Sequence, residues 1–483
     1  MVYNKAINHL SRKKKAMSQQ KLERLESDSI GTKSVSRDTY YGVQSLRAFE
    51  NFHITGQTTH PTMIRSLAYI KKACALANGR AGAPKPASAK AIEAACDRIL
   101  AGEYLDQFIQ DPIQGGAGTS LNMNANEVIA NIAIEILGGE KGDYSLIHPN
   151  DEVNRGQSTN DVIPTAGKLT VLFLLEDLYK SLCSLKEAFA RKGVEFDSIL
   201  KMGRTQLQDA VPIRLGQEFK AYATALDRGL RRIQSATREM TEINMGGTAI
   251  GTGVNADPVY SRHIAQDLSL LTGFSFTQAA DLIDATQNID SFAAVSGSLK
   301  DCALSLSKIS NDLRLMSSGP RTGLEEINLP ARQNGSSIMP GKVNPVIPEV
   351  VSQVAFRIVG NDTCIAMAVE AGQLELNAFE PGIFYSLFQS IDILREAADT
   401  LRINCVEGIT ANKEHCQHLL KKSAGIVTAL SPYIGYVKAA KLAKESLARK
   451  IPVVELARQQ HYLSDSQLDQ VLDPYKMTTP VAR

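Results

Sequence analysis

Apolar residues recur from Phe292 through Val295, Leu299, Cys302, Leu306, Ile309 and Leu313 to Met316, at spacings that alternate three and four. That rhythm is the seam of a helix packed lengthwise against others. At 1.5 Å of rise per residue the helix is about 40 Å long, and Asn288 is the candidate cap. Lys168 to Lys192, Arg214 to Glu242 and Pro348 to Ala371 carry the same periodicity. Long helices joined by compact loops predict a bundle. Strand-like alternation is weak throughout, so the fold class is mainly α with little sheet. Glycine and proline gather between the helices, at Gly115-Gly-Ala-Gly118, at Gly246-Gly-Thr-Ala-Ile-Gly-Thr-Gly253 and in the segment 335–345. Near the end, Ser464 and Gln467 form a capping-box pair ahead of a short helix that stops near Pro474. Boundaries near 160 and 415 divide the chain into an N-terminal domain (28–160), a central helical domain (161–415) and a small C-terminal domain (416–483).

With 483 residues the chain is long enough for two or three domains. Apolar residues at 43% and charged residues at 22% are globular values. A net charge of +2 gives no reason to expect a nucleic-acid or membrane partner. No apolar run approaches the roughly 20 residues of a membrane span. The seven cysteines are scattered, odd in number and never spaced C-x-x-C, which predicts reduced thiols in a cytoplasmic protein and no local zinc site. Residues 1–27 differ from the rest: Ser11-Arg-Lys-Lys-Lys15 is basic and the first acidic residue is Glu23. The expectation there is a solvated, flexible tail.

Four short segments are rich in Ser, Thr, Asn and Gln and poor in charge. They are Gly118-Thr-Ser-Leu-Asn-Met-Asn-Ala-Asn-Glu127, Gly156-Gln-Ser-Thr-Asn-Asp161, Gly203-Arg-Thr-Gln-Leu-Gln-Asp209 and Gly335-Ser-Ser-Ile-Met-Pro-Gly-Lys-Val-Asn-Pro345. Taken singly, each reads as a helix cap or a turn. Taken together they offer what a small dicarboxylate needs, many neutral donors and one cation. Removing a proton beside a carboxylate loads that group with extra negative charge. Donors fixed around it lower the barrier, each by about 3 kcal/mol in comparable oxyanion sites. Lys342 is the natural partner of the second carboxylate. Ser336 is the candidate base, activated by backbone N–H groups that Gly335 and Gly341 allow to converge. No Cys or His lies in that loop, so a Ser-His pair has no local support.

The fourth segment resembles, over 11 residues, the signature loop of the aspartase/fumarase superfamily. The resemblance runs from about Asp28 to Pro474 and includes Tyr40-Tyr-Gly-Val43, Arg47-Ala-Phe-Glu-Asn51, Gly118-Thr119, His148-Pro-Asn-Asp151, Ser158-Thr-Asn-Asp161 and Gly203-Arg-Thr205. It implies a long central helix bundle and a homotetramer with a twenty-helix core, each active site drawing on three subunits. It implies Ser336 as the base on Cβ, with Thr119, Ser158, Thr159 and Ser337 on the β-carboxylate. Lys342 and Asn344 would hold the α-carboxylate, and Asn160, Thr205 and Gln206 would lie by the leaving group. Fumarases of the superfamily usually carry histidine where this chain has Gln206. The expected reaction is therefore L-aspartate to fumarate and ammonia through an aci-carboxylate, with malate/fumarate hydration as the alternative and a non-catalytic structural member further off. No organic cofactor is implied. Activation by a divalent cation is compatible with the resemblance, but no cluster of ligands marks a site. His148 resembles part of a second dicarboxylate site, though Asn150 and Asp151 make a helix start an equal reading. Asp209 and Glu349 are candidates to orient Thr205 and Lys342.

Overall fold

The computed structural model describes residues 23–479. The basic cluster 11–15 lies outside them. Residues 23–27, expected to belong to a flexible tail, instead form most of strand β1 (Glu23–Asp28), antiparallel to β2 (Gly31–Ser36). The Asp28 carboxylate closes this hairpin by accepting from the N–H groups of Ile30 and Gly31 at 2.9 and 3.1 Å. Arg47 then ties Asp28 to the following helix with a 2.8 Å bond.

The chain clusters into two compact units. The first comprises residues up to Asp177, with Ile233–Leu299 and Val359–Asp392; the second comprises Leu178–Arg232, Lys300–Ile358 and everything from Ile393. Five long helices, Thr159–Glu195, Leu215–Ala236, Asp290–Met316, Val346–Glu370 and Glu380–Asn404, contribute residues to both. All eight residues of the seam from Phe292 to Met316 are buried, none more than 5% exposed. The helix starts at Asp290 because Asn288 is already engaged: its side chain donates to Asp284 and closes the preceding short helix. Among the described residues sheet is confined to four two-stranded pairs. Besides β1–β2 the substantial one is β3 (Leu200–Thr205) with β4 (Gln208–Arg214), in the second unit. That unit also holds a separate apolar cluster built from Ile426, Leu430, Leu442, Val453, Leu456 and Leu468 with their neighbours. The Ser464–Gln467 capping box forms as expected and starts the helix Asp465–Val471.

In the first unit the helix Thr159–Glu195 begins nine residues earlier than its periodicity suggests and runs through Pro164. A proline inside a helix has no N–H for the carbonyl four residues back, here that of Asn160. Asn244 supplies the missing donor, its side-chain amide reaching Asn160 O at 2.9 Å. The side chain is 3% exposed and also donates to Thr286. Asn244→Ala is expected to cost about 1–3 kcal/mol, because a carbonyl is left without its donor. The cost should shrink in a Pro164→Ala background, where the restored N–H satisfies that carbonyl. Chemical unfolding of the four proteins of this cycle measures the coupling, and strict additivity would contradict the account.

Candidate active site

In the first unit, Ser158 caps the helix Thr159–Glu195. Its hydroxyl oxygen accepts from the N–H of Asn160 at 3.2 Å, while Asp161 reaches back to the N–H of Ser158 at 2.9 Å. The helix-cap reading of Ser158-Thr-Asn-Asp161 therefore holds, and the cap leaves the Ser158 hydroxyl proton free to be donated. The other oxygen of Asp161 accepts from the N–H groups of Gly246 and Thr248 at 3.2 and 3.1 Å. One fully buried carboxylate thus fixes the glycine-rich segment 246–253 against the start of the helix. Burial pushes Asp161 up to about 6, against three donating amides and the nearby Lys71. Lys71 is itself completely buried, donates to Asn154 and Gln157 at 2.8 Å each, and is lowered by that burial to about 8.

Ser158 opens on a cleft of about 490 Å³ shared with Asn154, Gln157, Thr248, Ala249 and Asn255. Thr159 Oγ1 lies 3.5 Å from the amide of Asn122, and the Asn160 amide donates to Ala249 O at 2.7 Å. Thr119 is the first residue of the helix Thr119–Ile136 and borders a different cleft, of about 770 Å³, with Arg47, Ser120 and His148. Its hydroxyl donates to Gly116 O at 2.8 Å. Asn150 lines both clefts, with Thr119 on one and Ser158 on the other.

Several of the polar side chains between 118 and 127 hold backbone. Asn124 bridges the Ile109 N–H and Gln107 O at 3.0 Å each. Glu127 accepts from the N–H groups of Gly42, Gln44 and Ser45 and so caps the helix Val43–Asn51 from outside it. The helix start at 149 is real, but its cap is His148, whose Nδ1 accepts from the N–H groups of Asn150 and Asp151.

In the second unit the loop 335–345 folds back on itself. Gly335 N–H donates to Lys342 O at 2.7 Å, and the Asn344 amide donates to Gly335 O at 2.8 Å. A Cβ at 335 would sit 2.5 Å from Lys342 O, so glycine is required for this closure. Within the loop the Ser336 hydroxyl oxygen accepts two backbone N–H groups, from Ile338 at 3.2 Å and Met339 at 3.0 Å. This is the converging amide pair expected around the candidate base. Ser337 and Lys342 are exposed, and Asn344 is half-buried. Glu349, a candidate to orient Lys342, lies 4.0 Å from Arg314.

Thr205 and Gln206 stand at the exposed tip of the β3–β4 hairpin. Gln206 and Leu207 form its two-residue turn with φ of 54° and 62°. Positive φ at both central positions marks the primed turn whose twist matches a hairpin, and side chains there cost roughly 1–2 kcal/mol per residue. Strand β3 is anchored by Glu326, fully buried, 2.7 Å from Arg204 and 3.1 Å from Lys201. Lys201 also meets Glu218 at 2.8 Å. Sequence inspection passed over Lys71, Asn244 and Glu326 as site supports, since each lies far along the chain from the segment it holds. Asp161 was the one with a local signal, three residues after a serine at a helix start. Among the described residues no three His, Cys, Asp or Glu side chains are arranged to hold a metal.

A family model described as Lyase matches residues 31–360, and one described as Fumarase C C-terminus matches 426–479. The aspartate ammonia-lyase of Bacillus subtilis (strain 168) is 52% identical over 461 residues, 95% of this chain and 97% of that protein. That of Escherichia coli (strain K12) is 48% identical over 95% of this chain and 96% of its own. Among solved structures, the fumarate lyase:delta crystallin of Brucella melitensis bound to cobalt superposes with a TM-score of 0.92 at 48% identity, covering 95% of this chain and all of that one. The class II fumarase of Schistosoma mansoni superposes at 0.91 with 34% identity and the same coverage.

Asp161→Ala orphans two buried amides and one half-buried one, and removes a carboxylate whose charge acts on Lys71. A loss of about 3 kcal/mol or more is expected, read as a lower urea midpoint, and an unchanged midpoint would refute the anchoring role.

Proposed function

The chain belongs to the lyase family, and we propose that it catalyses the reversible elimination of ammonia from L-aspartate to give fumarate. L-Aspartate is favoured over L-malate by the likeness to aspartate ammonia-lyases, 48% to 53% over 95% of the chain against 34% for the class II fumarase. Gln206, in place of the histidine usual in fumarases, points the same way. The observation that carries the chemistry is the pair of amides on Ser336 Oγ. Donors on that oxygen favour the alkoxide over the hydroxyl.

In the proposed step the Ser336 alkoxide takes a proton from Cβ. The C–H electron pair enters the β-carboxylate, giving the aci-carboxylate, which donors from Thr119, Ser158, Thr159 and Ser337 stabilise. Lys342 and Asn344 hold the α-carboxylate. Return of the pair forms the C=C bond and breaks the bond to nitrogen. The α-ammonium leaves as neutral ammonia with the C–N electrons, so no general acid is needed and Asn160, Thr205 and Gln206 have only to accommodate it. Neither an organic cofactor nor a metal at the reacting atoms enters this sequence.

The separate clefts of Thr119 and Ser158 suit a site completed by neighbouring chains. Phe356 and Met367, 67% and 69% exposed on the helix Val346–Glu370, are large apolar side chains of the kind an assembled bundle covers. Both support a homotetramer with sites shared by three subunits. Five of the seven cysteines are buried and none is paired, which suits a reducing cytoplasm. Among the described residues no helix is long and apolar enough to cross a membrane.

Ultraviolet absorbance of fumarate, followed from L-aspartate and from L-malate, tests the reading. L-Aspartate is expected to turn over faster, and Ser336→Ala to abolish turnover without changing the oligomer. Faster consumption of L-malate would overturn the substrate, and substantial residual activity in Ser336→Ala would remove Ser336 as the base.

A further inference from the structure

Thr248 lies in the glycine-rich segment 246–253 and has no part in the chemistry described so far. Its backbone has φ of +56° and the residue is 4% exposed. Left-handed backbone at a β-branched residue is a rare and strained placement. Glycine already occupies positions 246, 247, 251 and 253 of the same segment, and a glycine at 248 would follow this path without strain. The bond from the Thr248 N–H to Asp161 needs only the backbone. The side chain therefore has a use that the backbone path does not explain.

Within the chain that use is not visible. Thr248 Oγ1 is buried and has no hydrogen-bond partner among the described residues. An unmade hydrogen bond at a buried hydroxyl is itself unfavourable, so threonine here carries two costs where glycine would carry neither. The residue lines the same 490 Å³ cleft as Ser158. One carboxylate sets the spacing of the two, since Asp161 binds the Ser158 N–H through one oxygen and the Thr248 N–H through the other. A strained residue with an unspent donor, held in register with a proposed ligand residue on one cleft, is what a binding site requires.

We propose that Thr248 contacts substrate, its hydroxyl donating to the same carboxylate of the dicarboxylate that Ser158 binds. This rests on the L-aspartate reading above and adds a residue to that carboxylate's donors. Thr248→Val removes the hydroxyl and keeps the branched shape; Thr248→Ser keeps the hydroxyl; Thr248→Gly removes the side chain and relieves the backbone. For a donor to the charge-bearing carboxylate, kcat/KM for L-aspartate should fall on the order of 100-fold in the valine and glycine variants and stay near wild type in the serine variant. Succinate, an unreactive dicarboxylate, should raise the thermal midpoint of the wild type and the serine variant more than that of the other two.

A valine variant with wild-type kcat/KM and succinate response overturns the proposal, as does a serine variant that falls as far as valine. If Thr248→Val fails to fold, Thr248→Gly carries the same comparison. Wild-type protein that responds to succinate but does not release fumarate from L-aspartate would overturn the reaction reading alone. In that case the succinate responses of the variants still decide the role of Thr248.

Discussion

Two backbone N–H groups, those of Ile338 and Met339, converge on the hydroxyl oxygen of Ser336, and the proposed chemistry depends on that contact. A serine hydroxyl in water is far too weak an acid to supply a base. It becomes one only where its anion is already provided with donors that need not reorganise when charge arrives. The loop 335–345 supplies them by folding back through Gly335 and Asn344, a path with no room for a Cβ at 335. The same closure fixes Ser337, Lys342 and Asn344 relative to the base. Of the residues proposed to hold the substrate's two carboxylates, Ser337, Lys342 and Asn344 thus have their spacing set by one short loop.

The first unit solves a parallel problem with a different device. There the organising group is a buried carboxylate, Asp161, that gathers three backbone amides and leaves the Ser158 hydroxyl proton uncommitted. Pro164 breaks the helix ladder just behind, and Asn244 repairs it. In the second unit Glu326 plays a similar anchoring part beneath the β3–β4 hairpin, where it meets Lys201 and Arg204. Asp161 and Asn244 hold backbone directly, across more than 80 residues of sequence, whereas Glu326 holds its hairpin through two cationic side chains.

This division of labour explains what could be read from the sequence. The helix Asp290–Met316 was legible because all eight residues of its three-and-four rhythm are buried on one seam. The helix Glu380–Asn404 went unread because Glu380-Pro-Gly382 looks like a break, although proline is tolerated in a first turn where its N–H is not needed. The hairpin Leu200–Arg214 was hidden because Gln206-Leu207 lacks the Asn-Gly signature of its turn. The amide pair on the Ser336 oxygen was legible because glycines at 335 and 341 let the loop fold back on itself. The segment 118–127 was legible only in part. Its side chains are of the right type, but Asn124 and Glu127 spend their capacity on residues 107–109 and 42–45. Residue type alone does not say whether a polar group faces a ligand or its own chain.

The most direct test of the account replaces a single atom group. Substituting an ester oxygen for the backbone N–H of Met339, with the side chain kept, removes one of the two donors to Ser336. A fall in kcat/KM for L-aspartate on the order of 100-fold is predicted, with the thermal midpoint little changed. An ester variant with wild-type kcat/KM would contradict the claim that the loop amides make Ser336 a base.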